Sequence, residues 1–164
     1  MDLAGIDKAA LIAAIVAQLA AELDGVREAA SSAREGATHE DAQPENQYDT
    51  RALEASYLAG AQTARAEVIE AAISVLERMQ LRDFDEDTPI AFGALVQVEH
   101  DDGDEIYFVA PEGGGAKVRY ADLTIRVVTL ASPVGRALSK KRVGDGFELT
   151  LKRVRREYEI VAVA

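Results

Sequence analysis

The sequence predicts an α+β protein in two parts, an N-terminal antiparallel coiled-coil hairpin and a small antiparallel β domain with one short helix. Three observations carry that prediction. Two alanine-rich segments before residue 82 repeat apolar residues every three or four positions. From about residue 90 the apolar period falls to two. Between the two helical segments lies an acidic stretch with a proline at position 44, which neither helix accommodates in its interior.

In the first helical segment Ile12, Val16, Leu19, Leu23, Val26 and Ala30 follow one another at alternating intervals of four and three, the seam of a coiled coil. The pattern fades near Gly36. The second segment is expected to start near Tyr48 or Asp49 and to run to about Leu81, with Tyr57, Ala61, Ala64, Val68, Ala72, Val75 and Met79 as its seam. About a dozen residues separate the segments, so the second folds back antiparallel to the first. Arms of about 30 residues give a hairpin roughly 45 Å long. The expected bounds are 1–82 for the hairpin with its tip at 37–48, 83–89 for a linker of four acids and a proline, and 90–164 for the second domain.

The mildly apolar run over residues 3–23 is broken by Asp7, Lys8 and Glu22 and lacks a basic leader. It reads as a helix of a soluble protein, neither a signal peptide nor a membrane span.

The second domain begins with two strands, 94–99 and 105–110, joined by Asp101-Asp102-Gly103-Asp104, whose Asp-Gly pair signals a hairpin. Residues 112–115 form a Gly-rich turn, and 123–130 is a strand of β-branched and apolar residues. Ser132-Pro133 opens a short helix, with Ser as N-cap and Pro at the first helical position, ending near Lys140-Lys141. After the turn Gly144-Asp145-Gly146, strands 147–151 and 157–162 close the domain. The sum is about five strands and one helix.

Composition narrows the functional classes. There is no Cys, which removes disulfide and thiolate chemistry and is compatible with a cytosolic location. The two His residues, His39 and His100, are too far apart in sequence to make a metal site by themselves. Residues 1–88 hold 7 basic against 18 acidic residues, while 89–164 hold 11 of each. A pI near 4.6 argues against general binding to a nucleic-acid backbone, which needs basic surface. The acidic half is suited to a basic surface or a bound cation, or serves solubility alone.

The candidate functional residues fall in two places. At the hairpin tip, residues 39–48 read His-Glu-Asp-Ala-Gln-Pro-Glu-Asn-Gln-Tyr. Carboxylates there have no fold-related reason to cluster, beyond a favourable acid at the start of the second helix, which Asp49 already supplies. The alternative for Asp41 and Glu45 is a solvated capping loop, and for His39 a local hydrogen bond. In the second domain Ser132, Pro133, Arg136, Lys140 and Lys141 mark a capped turn followed by a basic cluster. It offers either a docking surface or cations at a helix C-terminus.

This order of parts resembles the Gre family of bacterial transcription elongation factors. Phe92-Gly93-Ala94 leading into Val96-Gln97-Val98 is similar to the start of that family's second domain. Residues 131–138, Ala-Ser-Pro-Val-Gly-Arg-Ala-Leu, resemble its Ser-Pro helix. Residues 141–146 resemble the turn that follows, with Ser139 where Gly is usual, and 157–161 resemble its last strand. At the tip the family pattern is His-Gly-Asp-hydrophobic-x-Glu-Asn-x-Glu-Tyr. His39, Asp41, Glu45, Asn46 and Tyr48 fit it, while Glu40 replaces Gly. Asp41 and Glu45 stand four apart instead of three with Pro44 between them, and one residue is missing between Asn46 and Tyr48.

The resemblance implies an FKBP-like second domain that docks near the secondary channel of bacterial RNA polymerase, and a hairpin that enters the channel. Asp41 and Glu45 would assist in trans, holding a Mg²⁺ ion beside the polymerase's own metal for cleavage of backtracked RNA near its 3′ end. His39, Glu40, Asn46 and Tyr48 would support the tip, and Ser132, Pro133, Arg136, Lys140 and Lys141 would contact the polymerase. On this reading the chain is a cytoplasmic monomer with no stably bound cofactor, no membrane role and no enzymatic activity of its own. Two other readings stay open. One is a non-catalytic occupant of the same channel, suggested by the tip spacing, and the other a generic coiled-coil adaptor.

Overall fold

The computed structural model describes residues 3–38, 50–120, 122–151 and 153–164. They fall into two compact units, Met1–Ala17 with Ile73–Ala164, and Gln18–Ala72. The α+β class expected from the sequence is observed, with two long helices preceding a six-stranded sheet.

Helix α1 spans Lys8–Thr38 and follows a single 3-10 turn at Leu3–Gly5. Asp7 caps it, accepting hydrogen bonds at Oδ1 from the backbone N–H groups of Ala9 (2.9 Å) and Ala10 (3.0 Å). These are donors that the first helical turn leaves without intrahelical partners. α1 buries Leu11, Ile12, Ile15, Leu19, Leu23, Val26, Ala30 and Ala33. The expected seam is therefore present except at Val16, which is half-buried. By length and composition α1 is apolar enough to cross a membrane, with a mean hydropathy of 1.7 over its best window. Its large side chains nevertheless gather in one buried seam, and Glu22, Asp24 and Glu28 stand exposed on the remainder, the amphipathic arrangement of a paired surface helix.

Helix α2 spans Arg51–Glu77, starting later and stopping sooner than the apolar pattern suggested. Thr50 precedes it, and its hydroxyl donates to Glu54 Oε1 at 2.8 Å. The expected α2 seam is wrong in phase from Tyr57 to Val68, while Ala72 is buried as expected and Val75 and Met79 are half-buried. Tyr57 is 71% and Val68 67% exposed, and Ala61 and Ala64 are exposed as well. The buried residues are Ala59, Ala66, Ile69, Ala72 and Leu76. In an alanine-rich helix several faces carry apolar repeats, and packing against α1 selected the one ending in Ile69 and Leu76.

Within residues 18–72 the two helices run antiparallel. Arg34 Nη2 donates to Thr63 Oγ1 (2.9 Å), while Arg27, earlier on α1, reaches Glu70, later on α2 (2.6 Å). Arg65 reaches Glu22 at 2.5 Å. Both ion pairs are substantially exposed, so each contributes only about 0.2–1 kcal/mol.

The other unit contains the sheet. Its strands are β1 Leu95–His100, β2 Gly103–Val109, β3 Lys117–Tyr120, β4 Leu123–Val128, β5 Gly146–Leu151 and β6 Val154–Val163, with helix α3 at Pro133–Leu138. The order is β3-β4-β2-β1-β6-β5. Two details correct the sequence reading. There are six strands, because Lys117–Tyr120 pairs with β4, and β2 and β4 are parallel where an antiparallel sheet was expected. A two-residue turn, Asp101-Asp102, joins β1 to β2, with Gly103 at φ 123° directly after it. Positive φ there suits Gly, which has no Cβ to clash.

One core cluster gathers Val96 and Val98 of β1, Tyr107 and Val109 of β2, Tyr158 and Ile160 of β6, Leu138 of α3, and Phe84, Ile90 and Ala94 from the segment before β1. Phe84 lies within the expected linker 83–89, which forms no helix or strand. Lys8 Nζ sits 4.8 Å and Arg82 Cζ 4.6 Å from the centre of its ring. Lys8 also donates to the Arg82 carbonyl at 2.9 Å. Burial lowers the pKa of its ammonium group, and the Asp83 carboxylate partly offsets that shift.

Candidate functional site

The tip residues His39, Glu40, Asp41, Glu45, Asn46 and Tyr48 lie outside the described residues. What is described is how the chain enters and leaves them. At the end of α1 the Thr38 hydroxyl donates back to the carbonyls of Arg34 (3.0 Å) and Glu35 (3.3 Å). On the far side, the Thr50 hydroxyl is bonded to Glu54 and its carbonyl accepts from the Glu54 N–H at 2.9 Å. Among the described residues no group of three or more His, Asp or Glu is placed to hold a metal ion.

The second group, Ser132 to Lys141, is fully described, and most of it is engaged in building the fold. Ser132 caps α3 as expected. Its hydroxyl oxygen accepts from the Gly135 N–H (3.0 Å) and its hydroxyl donates to the Thr129 carbonyl (2.8 Å). Pro133 occupies the first turn, where a missing N–H costs nothing. Gly135 is required by space, since a Cβ on it would lie 2.0 Å from Thr129 O. The exposed Arg136 bonds through its guanidinium to the Ala131 carbonyl.

Lys140 adopts a positive φ of 65°, a strained conformation for a residue with a side chain. A pair of backbone hydrogen bonds holds it there. The Lys140 N–H donates to Ile90 O (2.9 Å), and the Ile90 N–H donates to Lys141 O (2.8 Å). The result leaves the Lys140 side chain exposed and Lys141 half-buried. Next to them, Arg142 Nε donates to Asp87 O at 2.6 Å. Arg136 thus lies on α3, and Lys140 and Lys141 lie on the link that follows it.

Sequence reasoning missed a second surface in this unit, an acidic cleft of about 800 Å³ lined by residues of β1, the β1–β2 turn, β5 and β6. Phe147 and Tyr158 stack at its wall with ring centres 5.0 Å apart and planes 5° from parallel, and His100 meets Tyr158 edge-on at 5.1 Å. Strand register sets Glu99 directly opposite Glu159, and Glu148 opposite Glu157. The period-two spacing of Glu157 and Glu159 around the buried Tyr158 was visible in the sequence, but the register that pairs acid with acid was not.

The matched family model describes the C-terminal part of the transcription elongation factors GreA/GreB and covers residues 86–164. The transcription elongation factor GreA of Xylella fastidiosa (strain 9a5c) is 30% identical over 132 residues, 79% of this chain and 77% of that protein. GreA of Verminephrobacter eiseniae is 33% identical over 102 residues, and there the match spans 61% of either chain, less than two thirds of that protein's length. Among solved structures, GreA factor homolog 1 (Gfh1) of Thermus thermophilus is 25% identical, with 91% of this chain and 94% of that one covered and a TM-score of 0.39. With a GreA 30% identical across three quarters of its own length, and with the family's C-terminal pattern running to the last residue, this chain belongs to the GreA/GreB family of transcription elongation factors.

Proposed function

We propose that this chain binds bacterial RNA polymerase in the cytoplasm, directs its helical hairpin into the secondary channel, and stimulates Mg²⁺-dependent cleavage of backtracked RNA near the 3′ end. The observation that carries this reading is the acidic segment with Asp41 and Glu45 between two long helices, in a chain of this family.

The donor set suits the chemistry. Two carboxylates supply the hard oxygen ligands that Mg²⁺ takes, yet too few for a closed protein site, so the ion is shared with the polymerase. A metal ion held there stabilises charge on the oxygens of a phosphodiester under attack by water. The chain's own tasks are to bring Asp41 and Glu45 to that place, with His39, Glu40, Asn46 and Tyr48 supporting the tip. Arg136, Lys140 and Lys141 are assigned to docking, with Ser132 and Pro133 fixing the turn that displays them. On this reading the chain is not an enzyme by itself.

The test is a cleavage assay on purified, backtracked elongation complexes. Wild type shortens the RNA from its 3′ end in a Mg²⁺-dependent manner, and Asp41→Ala/Glu45→Ala abolishes the stimulation while still binding polymerase. A double variant as active as wild type would remove these carboxylates from the mechanism. A second reading is favoured by one specific feature, the four-residue interval between Asp41 and Glu45 across Pro44. In that reading the chain occupies the channel without stimulating cleavage, and wild type competes with an active cleavage factor while leaving the RNA intact.

A further inference from the structure

Lys140 holds its left-handed backbone, φ 65°, two residues after α3 ends. Glycine is the residue that closes helices in this conformation without steric cost, so a lysine stands there against the preference of its own backbone. Such outliers gather at contact and switch sites. The Lys140 side chain is exposed, and among the described residues no carboxylate forms an ion pair with it. Two acids of adjoining segments are engaged within their own turns. Asp145 accepts from the Arg142 N–H (2.8 Å), and Asp85 accepts from the Thr88 hydroxyl. Nothing the lysine side chain does among the described residues offsets its backbone strain.

Phe92 is a second side chain that the fold does not use. It is 44% exposed, the only aromatic among the described residues of this unit to stand so open. It sits at the corner of a tight turn, closed by the Ala94 N–H donating to Ala91 O (3.1 Å) with Gly93 at φ 91°. The Gly93 N–H is fixed in turn to Val109 O (2.8 Å). Two residues before Phe92, Ile90 is bonded through its backbone to Lys140 and Lys141. Chain geometry therefore keeps the α-carbons of Phe92 and Lys140 within about 13 Å of each other. That is well inside the patch of about 800 Å² that one partner gives to a standard interface.

We propose that Lys140 and Phe92 are the two anchors of the docking surface, and that the patch of RNA polymerase they meet carries a carboxylate beside an apolar hollow. This rests on the docking role proposed above and adds the chemistry of the counterpart. Aromatic residues are enriched at interface cores, and a cation selects an acidic counterpart and speeds encounter. A nucleic-acid backbone fits this surface less well. The exposed Asp85, Glu86 and Asp87 lead into Ile90, and the Asp87 carbonyl is held by Arg142, so a run of phosphates would meet acids here. A protein surface can set a single carboxylate against Lys140.

Anisotropy of the labelled full chain titrated with purified RNA polymerase, read beside urea unfolding, tests this. Lys140→Gly is expected to raise the urea midpoint, because the strain is gone, and yet to weaken binding by about fivefold to tenfold. It should also flatten the fall of affinity between about 0.05 M and about 0.5 M NaCl, while Lys140→Arg binds as wild type does. Phe92→Ala is expected to weaken binding by about tenfold or more with its urea midpoint unchanged. Wild-type affinity for Lys140→Gly overturns the cationic anchor, whatever its midpoint does. Wild-type affinity for Phe92→Ala, or a loss matched by a lower midpoint, overturns the apolar anchor. Wild-type binding that salt leaves unchanged overturns the acidic counterpart. A wild-type chain that does not bind polymerase at all overturns the docking role itself and this inference with it.

Discussion

Gly135 lies so close beneath the Thr129 carbonyl that a Cβ on residue 135 would sit 2.0 Å from the carbonyl oxygen and 2.7 Å from its carbon. The same oxygen accepts hydrogen bonds from the Ser132 N–H (2.9 Å) and the Ser132 hydroxyl (2.8 Å). The Ser-Pro-Val-Gly sequence is thus a packing device that clamps the start of α3 onto the end of β4. Gly135→Ala is expected to cost about 1–3 kcal/mol, the range for forcing a methyl group into filled space. Gly25→Ala, in the interior of α1 where nothing lies within 4 Å of a new Cβ, is expected to gain up to about 1 kcal/mol. Urea unfolding midpoints of the two variants therefore move in opposite directions, and a neutral Gly135→Ala would refute the close approach.

Asp7 is expected to hold the start of α1. Its carboxylate accepts from two N–H groups of the first turn, so Asp7→Ala should lower stability by about 1 kcal/mol, within the range for lost caps. Asp7→Asn, which keeps an acceptor oxygen, should recover most of that loss. Equal destabilisation by both variants would mean that charge, and not capping, is the operative property.

Alkaline pH is expected to destabilise the sheet-containing unit through Tyr107. This phenol is 3% exposed and donates a hydrogen bond to the Glu105 carboxylate, which also binds Arg126 at 3.0 Å. Burial raises its pKa well above the ordinary value of 10, and the hydrogen bond and negative charge of Glu105 raise it further. Above about pH 10 the unfolded chain releases this proton while the folded chain keeps it, so stability is level below that pH and falls above it. Tyr107→Phe should cost about 0.5–1.5 kcal/mol near neutrality and flatten the alkaline limb relative to wild type. Urea midpoints measured from about pH 8 to about pH 11 decide this, and parallel alkaline limbs in the two proteins would rule Tyr107 out.

What the sequence made legible depended on side-chain size. The α1 seam is written in Ile, Leu and Val, and all but Val16 are buried as expected. In α2 nearly every face carries Ala, and a seam drawn through Tyr57 and Val68 fell on the outer face over most of its length. Ser132 and Pro133 were legible because capping is local chemistry. Strand β3 was hidden by its composition, Lys-Val-Arg-Tyr, in which only Val118 is buried. The parallel pairing of β2 with β4 and the acid-on-acid register of the cleft are non-local, so neither appears in any short window of sequence. The tip motif was legible as a pattern of residue types, while its geometry lies outside the described residues.

Charge repulsion across the acidic cleft is expected to be measurable as lost stability. Glu99 and Glu159 stand directly opposite on β1 and β6, and like charges in that position destabilise by roughly 0.2–1 kcal/mol. Glu148 and Glu157 are also opposed, but Arg155 pairs with Glu148 and relieves part of the repulsion. Glu159→Gln is therefore expected to stabilise more than Glu157→Gln. The gain should be largest near 0.01 M salt, where screening extends over about 30 Å, and should shrink near 1 M, where it extends over about 3 Å. Urea midpoints of both variants at the two salt concentrations test the ranking and the salt dependence together. A gain for Glu159→Gln that persists undiminished at high salt would assign the effect to packing in place of charge.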